Sequence, residues 1–286
     1  MSIERGSDSS TPEGVHYLLG HSEHELRRLD VQGHLFRGVS ERGFRAAGLA
    51  PGMRVLDLGC GTGDVSMLVA ELVGPTGHVV GIDRGETAVN AATSRAAARG
   101  VANVEFRVCE IDAFHEPDGF DALVGRFILM HQSDPASVLR SAARSVRSGG
   151  IVCILESYMD VLMSGPHSFP NSELYAEVVR WKGEVVGGAG ADVESGGRLH
   201  PTFIEAGLAA PTTRMEAALE GGPDSAYYEY LALSLESMLP EAERQGVGGY
   251  TLDDALTIGD RLRDDMIESN GTLMVWPVVA AWSRIA

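Results

Sequence analysis

Between residues 54 and 157 five short apolar runs alternate with helical stretches, and this alternation restricts the fold more than any other property of the chain. The runs Arg54–Leu58, His78–Asp83, Val104–Val108, Ala122–Phe127 and Ile151–Ser157 have strand length and lack a polar face. Between them, Asp64–Val73, Glu86–Arg99 and Pro135–Val146 read as helices. The last opens with Pro135 in its first turn, where a missing N–H costs nothing. Strands apolar on both faces and joined by helices form a parallel sheet covered on both sides, a doubly wound α/β fold.

The flanks are less regular. Ser22-Glu23-His24-Glu25 has the spacing of a capping box, and Leu26, Leu29, Val31, Leu35 and Val39 follow at helical spacing. They predict two short helices broken near Gly33 and ending by Leu49. Beyond Ser157 a helix is expected over Ser172–Val186, then a mobile loop at Gly187-Gly188-Ala189-Gly190. Two further strands, Thr212–Leu219 and Thr272–Arg284, bracket helices Pro223–Leu239 and Thr251–Ser269. Thr251 and Asp254 supply a cap, and Asn270-Gly271 a stop.

The segment Val55-Leu56-Asp57-Leu58-Gly59-Cys60-Gly61-Thr62-Gly63-Asp64 runs from a strand through a glycine turn into a helix, so backbone can approach a ligand at the carboxyl edge of the sheet. A dinucleotide fingerprint requires a sixth-position glycine, which here is Asp64. An acid at that helix start repels a pyrophosphate and suits a ligand that carries positive charge. A second strand, Val79-Val80-Gly81-Ile82-Asp83, ends on a carboxylate able to accept both hydrogen bonds of a ribose diol.

With these two motifs the chain resembles the class I S-adenosylmethionine-dependent methyltransferases. It is most similar to the small-molecule branch of ubiquinone/menaquinone C-methyltransferases and bacterial natural-product methyltransferases. The resemblance runs from about Tyr17 to the C-terminus and is dense over residues 52–157. It implies a Rossmann-like, mostly parallel seven-stranded sheet with an antiparallel C-terminal strand and a helical cap. It also implies one structural domain in three parts. Residues 1–50 would supply helices closing over the site, residues 51–158 the S-adenosylmethionine-binding core, and residues 159–286 cap insertions plus the last strands.

The same resemblance implies cofactor contacts. Gly59, Gly61 and Gly63 would wall the methionine part, with Asp57 toward its ammonium, directly or through water. Asp83 would hold the ribose hydroxyls and Arg84 would lie along the adenine. Cys109-Glu110-Ile111 stands where relatives show Gly-Asp-Ala, so Glu110 would accept from the adenine amine beside an apolar Ile111. Gly125 and Arg126 would offer backbone carbonyls to the ammonium, and Tyr17 would close over the site.

Methyl transfer requires a base only where the acceptor must lose a proton. His131, after the fourth strand, is the candidate; relatives with a histidine there often use it to orient a loop instead. Glu156 and Tyr158 follow the fifth strand, and His167 and His200 lie in irregular segments from which they could line an acceptor pocket. Trp181 and Tyr228 are pocket candidates too, although with Tyr227 and Tyr230 they also suit the packing of a cap.

Composition narrows the partners. With 40 acidic against 23 basic residues the net charge is −17, which opposes binding to nucleic acid or anionic lipid. The D/N-P-P-Y/F signature of amino-methylating DNA enzymes and the Pro-Cys pair of cytosine methyltransferases are absent, as is the acid that metal-dependent catechol enzymes use, so no metal is expected. Three scattered cysteines give no disulfide framework, residues 1–14 are polar, and no segment has the length of a membrane span. The expectation is a cytoplasmic bacterial enzyme, monomer or homodimer, that methylates an oxygen, carbon or nitrogen of a small metabolite, in natural-product biosynthesis. The alternatives are a protein of the same fold that binds S-adenosylmethionine without methylating, either a cyclase or rearrangement enzyme or a non-catalytic binding protein, and a nicotinamide oxidoreductase, against which Asp64 argues.

Overall fold

The computed structural model describes residues 23–286 except 118 and 166. Tyr17 and Ser22 lie outside the described residues. Helix α1 (Glu23–Ala47) leads into β1 (Arg54–Leu58), α2 (Asp64–Val73), β2 (His78–Asp83), α3 (Glu86–Ala98), β3 (Val104–Val108), β4 (Phe120–Arg126), α4 (Pro135–Ala143) and β5 (Val146–Ser157). There follow α5 (Asp160–Met163), β6 (Ser168–Phe169), α6 (Glu173–Gly188), α7 (Ser195–Glu205), β7 (Thr212–Glu216) and β8 (Leu219–Gly221). Helices α8 (Ala226–Gln245) and α9 (Leu252–Ser269) precede β9 (Thr272–Met274) and β10 (Val278–Arg284).

Seven strands form one sheet in the order β3-β2-β1-β4-β5-β10-β7. Strands β1 to β5 are parallel, and β10 runs antiparallel to both of its neighbours. This is the expected Rossmann-like sheet. Alternate residues feed two apolar layers: Val55, Val79 and Val124 face Phe44 of α1 and Leu68 of α2, while Leu56, Val80 and Leu123 face Leu139 of α4 and Phe203 of α7. The order reverses between β1 and β4, which opens a crevice beyond their carboxyl ends.

Several elements differ from the sequence expectation for local physical reasons. The N-terminal segment is one helix of 25 residues. Gly33 does not break it; a Cβ there would sit 2.6 Å from the Asp64 carboxylate carbon, so this glycine permits close approach to α2. The run Thr272–Arg284 is divided by Pro277, which has no N–H to donate: β9 joins a small sheet with β6 and β8, and β10 joins the main one. Thr212–Leu219 divides likewise, into β7 of the main sheet and the start of β8. The helix from Pro135 stops at Ala143 because Val146 already belongs to β5. Helix α8 starts after the Ser225 cap and runs on to Gln245, where Gly246 turns left-handed. Helix α7 is absent from the expectation altogether.

Candidate functional site

The glycine turn between β1 and α2 is held in a shape only glycine takes without strain. Gly59, Gly61 and Gly63 have φ of 61°, 52° and 85°. A Cβ on Gly59 would lie 2.4 Å from Ile128 Cδ1, and one on Gly63 2.8 Å from Phe106 Cζ. On Gly61 it would meet nothing within 4 Å, because that position faces open space. From the tip of β2, Asp83 accepts from the Gly61 N–H at 3.0 Å and from the Gly85 N–H at 2.8 Å. One hydrogen bond reaches each carboxylate oxygen, which leaves each oxygen a further lone pair toward a ligand.

These elements open onto one cavity, lined by Gly59 to Thr62, Asp83 to Gly85, Cys109 to Asp112 and Arg126 to Ile128. Asp83, Arg84, Glu110, Ile111 and Arg126 are therefore brought together with Gly59 and Gly61. Gly63 and Gly125 are not at the wall; each gives way to a neighbour, Gly125 to Ile128 Cγ2 at 3.1 Å from its missing Cβ. Asp57 lies behind the turn, buried, with the Ser66 hydroxyl donating to it at 2.5 Å. Burial lifts Asp57 to about 7, although the Ser66 hydrogen bond and the Arg126 charge pull it down. Arg126 itself donates to Ser40 Oγ at 3.1 Å, which ties α1 to the end of β4. The next residue, Phe127, carries a left-handed φ of 57°, and this strained backbone turns the chain into the crevice.

A cationic nucleoside fits this half of the cavity. Asp64, Asp83, Glu110 and Asp112 line it, and the buried Thr62 hydroxyl has no hydrogen-bond partner among the described residues. The other half is built by α1 (Arg28, Gln32), α6 (Lys182, Val186), α8 (Tyr230, Met238) and Trp276. His131 reaches the same cavity. Burial, then the charges of Arg84 and Arg28, push its imidazole down to about 4, so it is neutral at physiological pH and a weak proton acceptor.

The other pocket candidates do not reach the cavity wall. The Tyr158 ring lies against Gly197, and its backbone N–H donates to the Pro277 carbonyl. His167 backs onto β9, its carbonyl accepting from Met274 N, and the exposed His200 stands on α7. Trp181 donates from Nε1 to the Gly248 carbonyl at 2.9 Å and packs edge-on against Tyr250. Tyr228 is buried on the side of α8 that meets Gly259 of α9. On amphipathic helices these aromatic residues fill the seams between helices.

Glu156 also turns away from the cavity. Fully buried, it accepts from the Ile128 and Leu129 N–H groups at 2.9 and 2.6 Å and fixes the loop that carries His131. Burial pushes its carboxyl up to about 8 despite those hydrogen bonds. The residues that sequence reasoning missed are Lys182, Trp276 and Gln32. For Lys182 a signal existed: it is the only lysine of the chain and falls within the apolar stripe Val178, Val179, Val185 and Val186.

Among the described residues no cluster of three or more His, Cys, Asp or Glu side chains is placed to hold a metal ion, and no helix is long and apolar enough to cross a membrane.

Strand order, glycine turn and ribose-type acid together define a methyltransferase-like site. Residues 49–207 match the protein family described as "Methyltransferase domain". The chain belongs to this methyltransferase family, whose cofactor is S-adenosylmethionine. The ubiquinone/menaquinone biosynthesis C-methyltransferase UbiE of Ectopseudomonas mendocina is 33% identical over 137 residues, 47% of this chain and 54% of that protein. The enzyme of the same description from Vibrio cholerae is 30% identical over 170 residues, 57% of this chain and 63% of that protein. The chain thus spans little more than half the length of these curated relatives. Among solved structures, the YcgJ protein from Bacillus subtilis superimposes with a TM-score of 0.54 over 88% of this chain and 100% of its own, at 18% identity. The MccD protein does so with a TM-score of 0.52 over 86% and 96%, at 16% identity. Both likenesses are of the fold.

Proposed function

We propose that this chain transfers a methyl group from S-adenosylmethionine to an oxygen, carbon or nitrogen of a small metabolite, as a cytoplasmic bacterial enzyme of natural-product biosynthesis, monomeric or homodimeric. One observation carries the reading: a glycine turn and Asp83 share a single cavity with a second chamber under α1, α6 and α8, where Tyr230, Trp276, Val186 and Met238 stand beside Arg28, Gln32 and Lys182. A nucleoside site and an acceptor site are thereby continuous. In this reading residues 1–50 and the insertions of residues 159–286 cover the core formed by residues 51–158, whose sheet the last strands of residues 159–286 complete.

Gly59, Gly61 and Asp83 would hold the cofactor's methionine and ribose parts, Arg84, Glu110 and Ile111 its adenine, and the backbone carbonyls of Gly125 and Arg126 its ammonium. Asp57 and Gly63 would act from behind, by holding the turn. Tyr17 keeps its expected role as a lid residue. When bound, S-adenosylmethionine supplies an electrophilic methyl group on a sulfonium. The chain's own residues orient the acceptor and exclude water, the main source of acceleration in a displacement of this kind.

Calorimetric titration with S-adenosylmethionine, followed by mass spectrometry of an acceptor screen, tests the reading. No binding overturns it; binding with no methylated product would move it to a non-methylating protein of the same fold. His131, neutral at the wall, is assigned a hydrogen-bonding role toward the acceptor. His131→Gln should therefore lower turnover by about tenfold or less, below the 10²–10⁴-fold range of a general base. A greater loss, with the acid-side inflection of the pH–rate profile removed, would restore it as the base.

A further inference from the structure

Helix α6 places the single lysine of the chain inside the second chamber. Lys182 is 3% exposed. Its Nζ lies 3.9 Å from the centroid of the Trp276 ring and 4.4 Å from that of Tyr230, and it donates to the Tyr230 hydroxyl at 3.2 Å. That hydroxyl donates to Gln32 Oε1 at 3.2 Å, which also accepts from Arg28 Nη1 at 2.9 Å. Arg28 in turn donates to the buried Glu25 carboxylate at 2.6 and 2.8 Å. Among the described residues no carboxylate lies within 4.0 Å of the Lys182 amine. Burial, and then the Arg28 charge, push the amine well below the ordinary lysine value.

We propose that Lys182 receives a proton from the methyl acceptor, and that the acceptor is a planar unsaturated compound bearing an acidic hydroxyl, a phenol or an enol. This inference rests on the methyltransferase reading of the cavity. Lys182, Tyr230, Trp276 and Phe127 line it together with Asp83, so a flat ring has aromatic walls to lie against. An ammonium alone is disfavoured here, and so is an oxyanion alone. Formed together by one proton passing from the acceptor O–H to Nζ, they are an ion pair without net charge. The electron pair left on oxygen, or delocalised to an enol carbon, is the nucleophile that takes the methyl group. Trp276 adds a donor, since its buried indole N–H has no partner among the described residues. The product as first formed, an ether or a C-methylated ketone, carries no oxyanion, and the ammonium returns its proton to solvent as the site empties.

Two chromophoric acids, 4-nitrophenol and 4-hydroxycoumarin, serve as probes with the full-length protein. At one pH unit below the ionisation of each free probe, wild type should bind at least one of them with the spectrum of its anion. Lys182→Met and Lys182→Gln should bind it neutral or lose it, while binding S-adenosylmethionine within about twofold of wild type. Binding of neither probe, binding without the anion spectrum, or the same spectrum in both variants overturns the proposal. Loss of S-adenosylmethionine binding in wild type overturns instead the reading beneath it. A second readout needs no acceptor: trinitrophenylation labels one side-chain amine in this chain. Followed by peptide mapping, so that the α-amine is counted apart, its rate should level off well below the ordinary lysine value of about 10.4, whereas a tenfold climb per unit up to that value would show a normal ammonium and refute the assignment.

Discussion

Glu156→Ala should destabilise the folded chain by about 2–4 kcal/mol in urea unfolding, because the buried Leu129 N–H and the part-buried Ile128 N–H lose their acceptor at once. The isosteric Glu156→Gln keeps an acceptor oxygen and separates charge from shape. Its effect depends on pH with a definite sign. The carboxyl is raised to about 8 in the fold from an ordinary value of 4.5. Below pH 4.5 both states are protonated and nothing is lost. Between pH 4.5 and 8 the unfolded chain releases the proton and the folded chain retains it, so this residue's contribution declines as pH rises. Glutamine has no such decline, and the variant should gain on wild type across that window by an amount on the order of 5 kcal/mol. Comparing the two proteins at each pH cancels Asp57 and His131, which titrate in both. Parallel stability curves from pH 5 to pH 9 would mean that the carboxylate is charged in the native state.

Asp83→Ala should weaken S-adenosylmethionine binding by about 1–3 kcal/mol, or roughly 5- to 150-fold in Kd by calorimetry. The side chain has two tasks at once. It accepts from Gly61 and Gly85, and so sets two loops at the cavity wall, and in the proposed reading its remaining lone pairs would meet the ribose diol. Asp83→Asn retains one acceptor oxygen and turns an N–H₂ toward the other amide, so an intermediate loss is expected. An unchanged Kd in both variants would place the ribose elsewhere.

The central sheet was legible because its signals are local. Strands β1, β2 and β3 have the ends read from the sequence, β1 and β2 as apolar runs and β3 as an edge strand in which Glu105 and Arg107 alternate with Val104, Phe106 and Val108. The glycine turn and Asp83 were legible for the same reason, since their chemistry lies within a few residues of chain. Helix α7 was not. Its sequence, Ser-Gly-Gly-Arg-Leu-His-Pro-Thr-Phe-Ile-Glu, has poor intrinsic helix propensity, with Pro201 inside. What makes it a helix is burial of Leu199 and Phe203 against the sheet, each contributing roughly 1.5–3 kcal/mol, and that partner lies outside the segment. The pocket residues illustrate the same division. Trp181, Tyr228 and Lys182 share helices of similar apolar pattern, and only the packing of α6 and α8 around α1 decides that Lys182 and Tyr230 face the cavity while Trp181 faces Gly248. The acid excess was legible as a total and, in place, as a segment: residues 205–286 hold 14 of the 40 acids and five of the 23 bases. Asp253, Asp264 and Glu268 stand exposed on α9, away from the cavity.

Gly33 sets a rule for anyone who would re-engineer this chain. In the middle of a long helix, glycine to alanine is the change that propensity recommends, with a gain of about 1 kcal/mol. Here the added methyl would fall 2.6–2.8 Å from the Asp64 carboxylate, which Arg95 holds at 2.8 Å while donating also to the Thr62 carbonyl of the glycine turn. A substitution chosen to improve α1 would thus be transmitted through one carboxylate and one guanidinium to the glycine turn at the cavity wall. A consensus-style stabilisation of this protein would have to leave that one position alone.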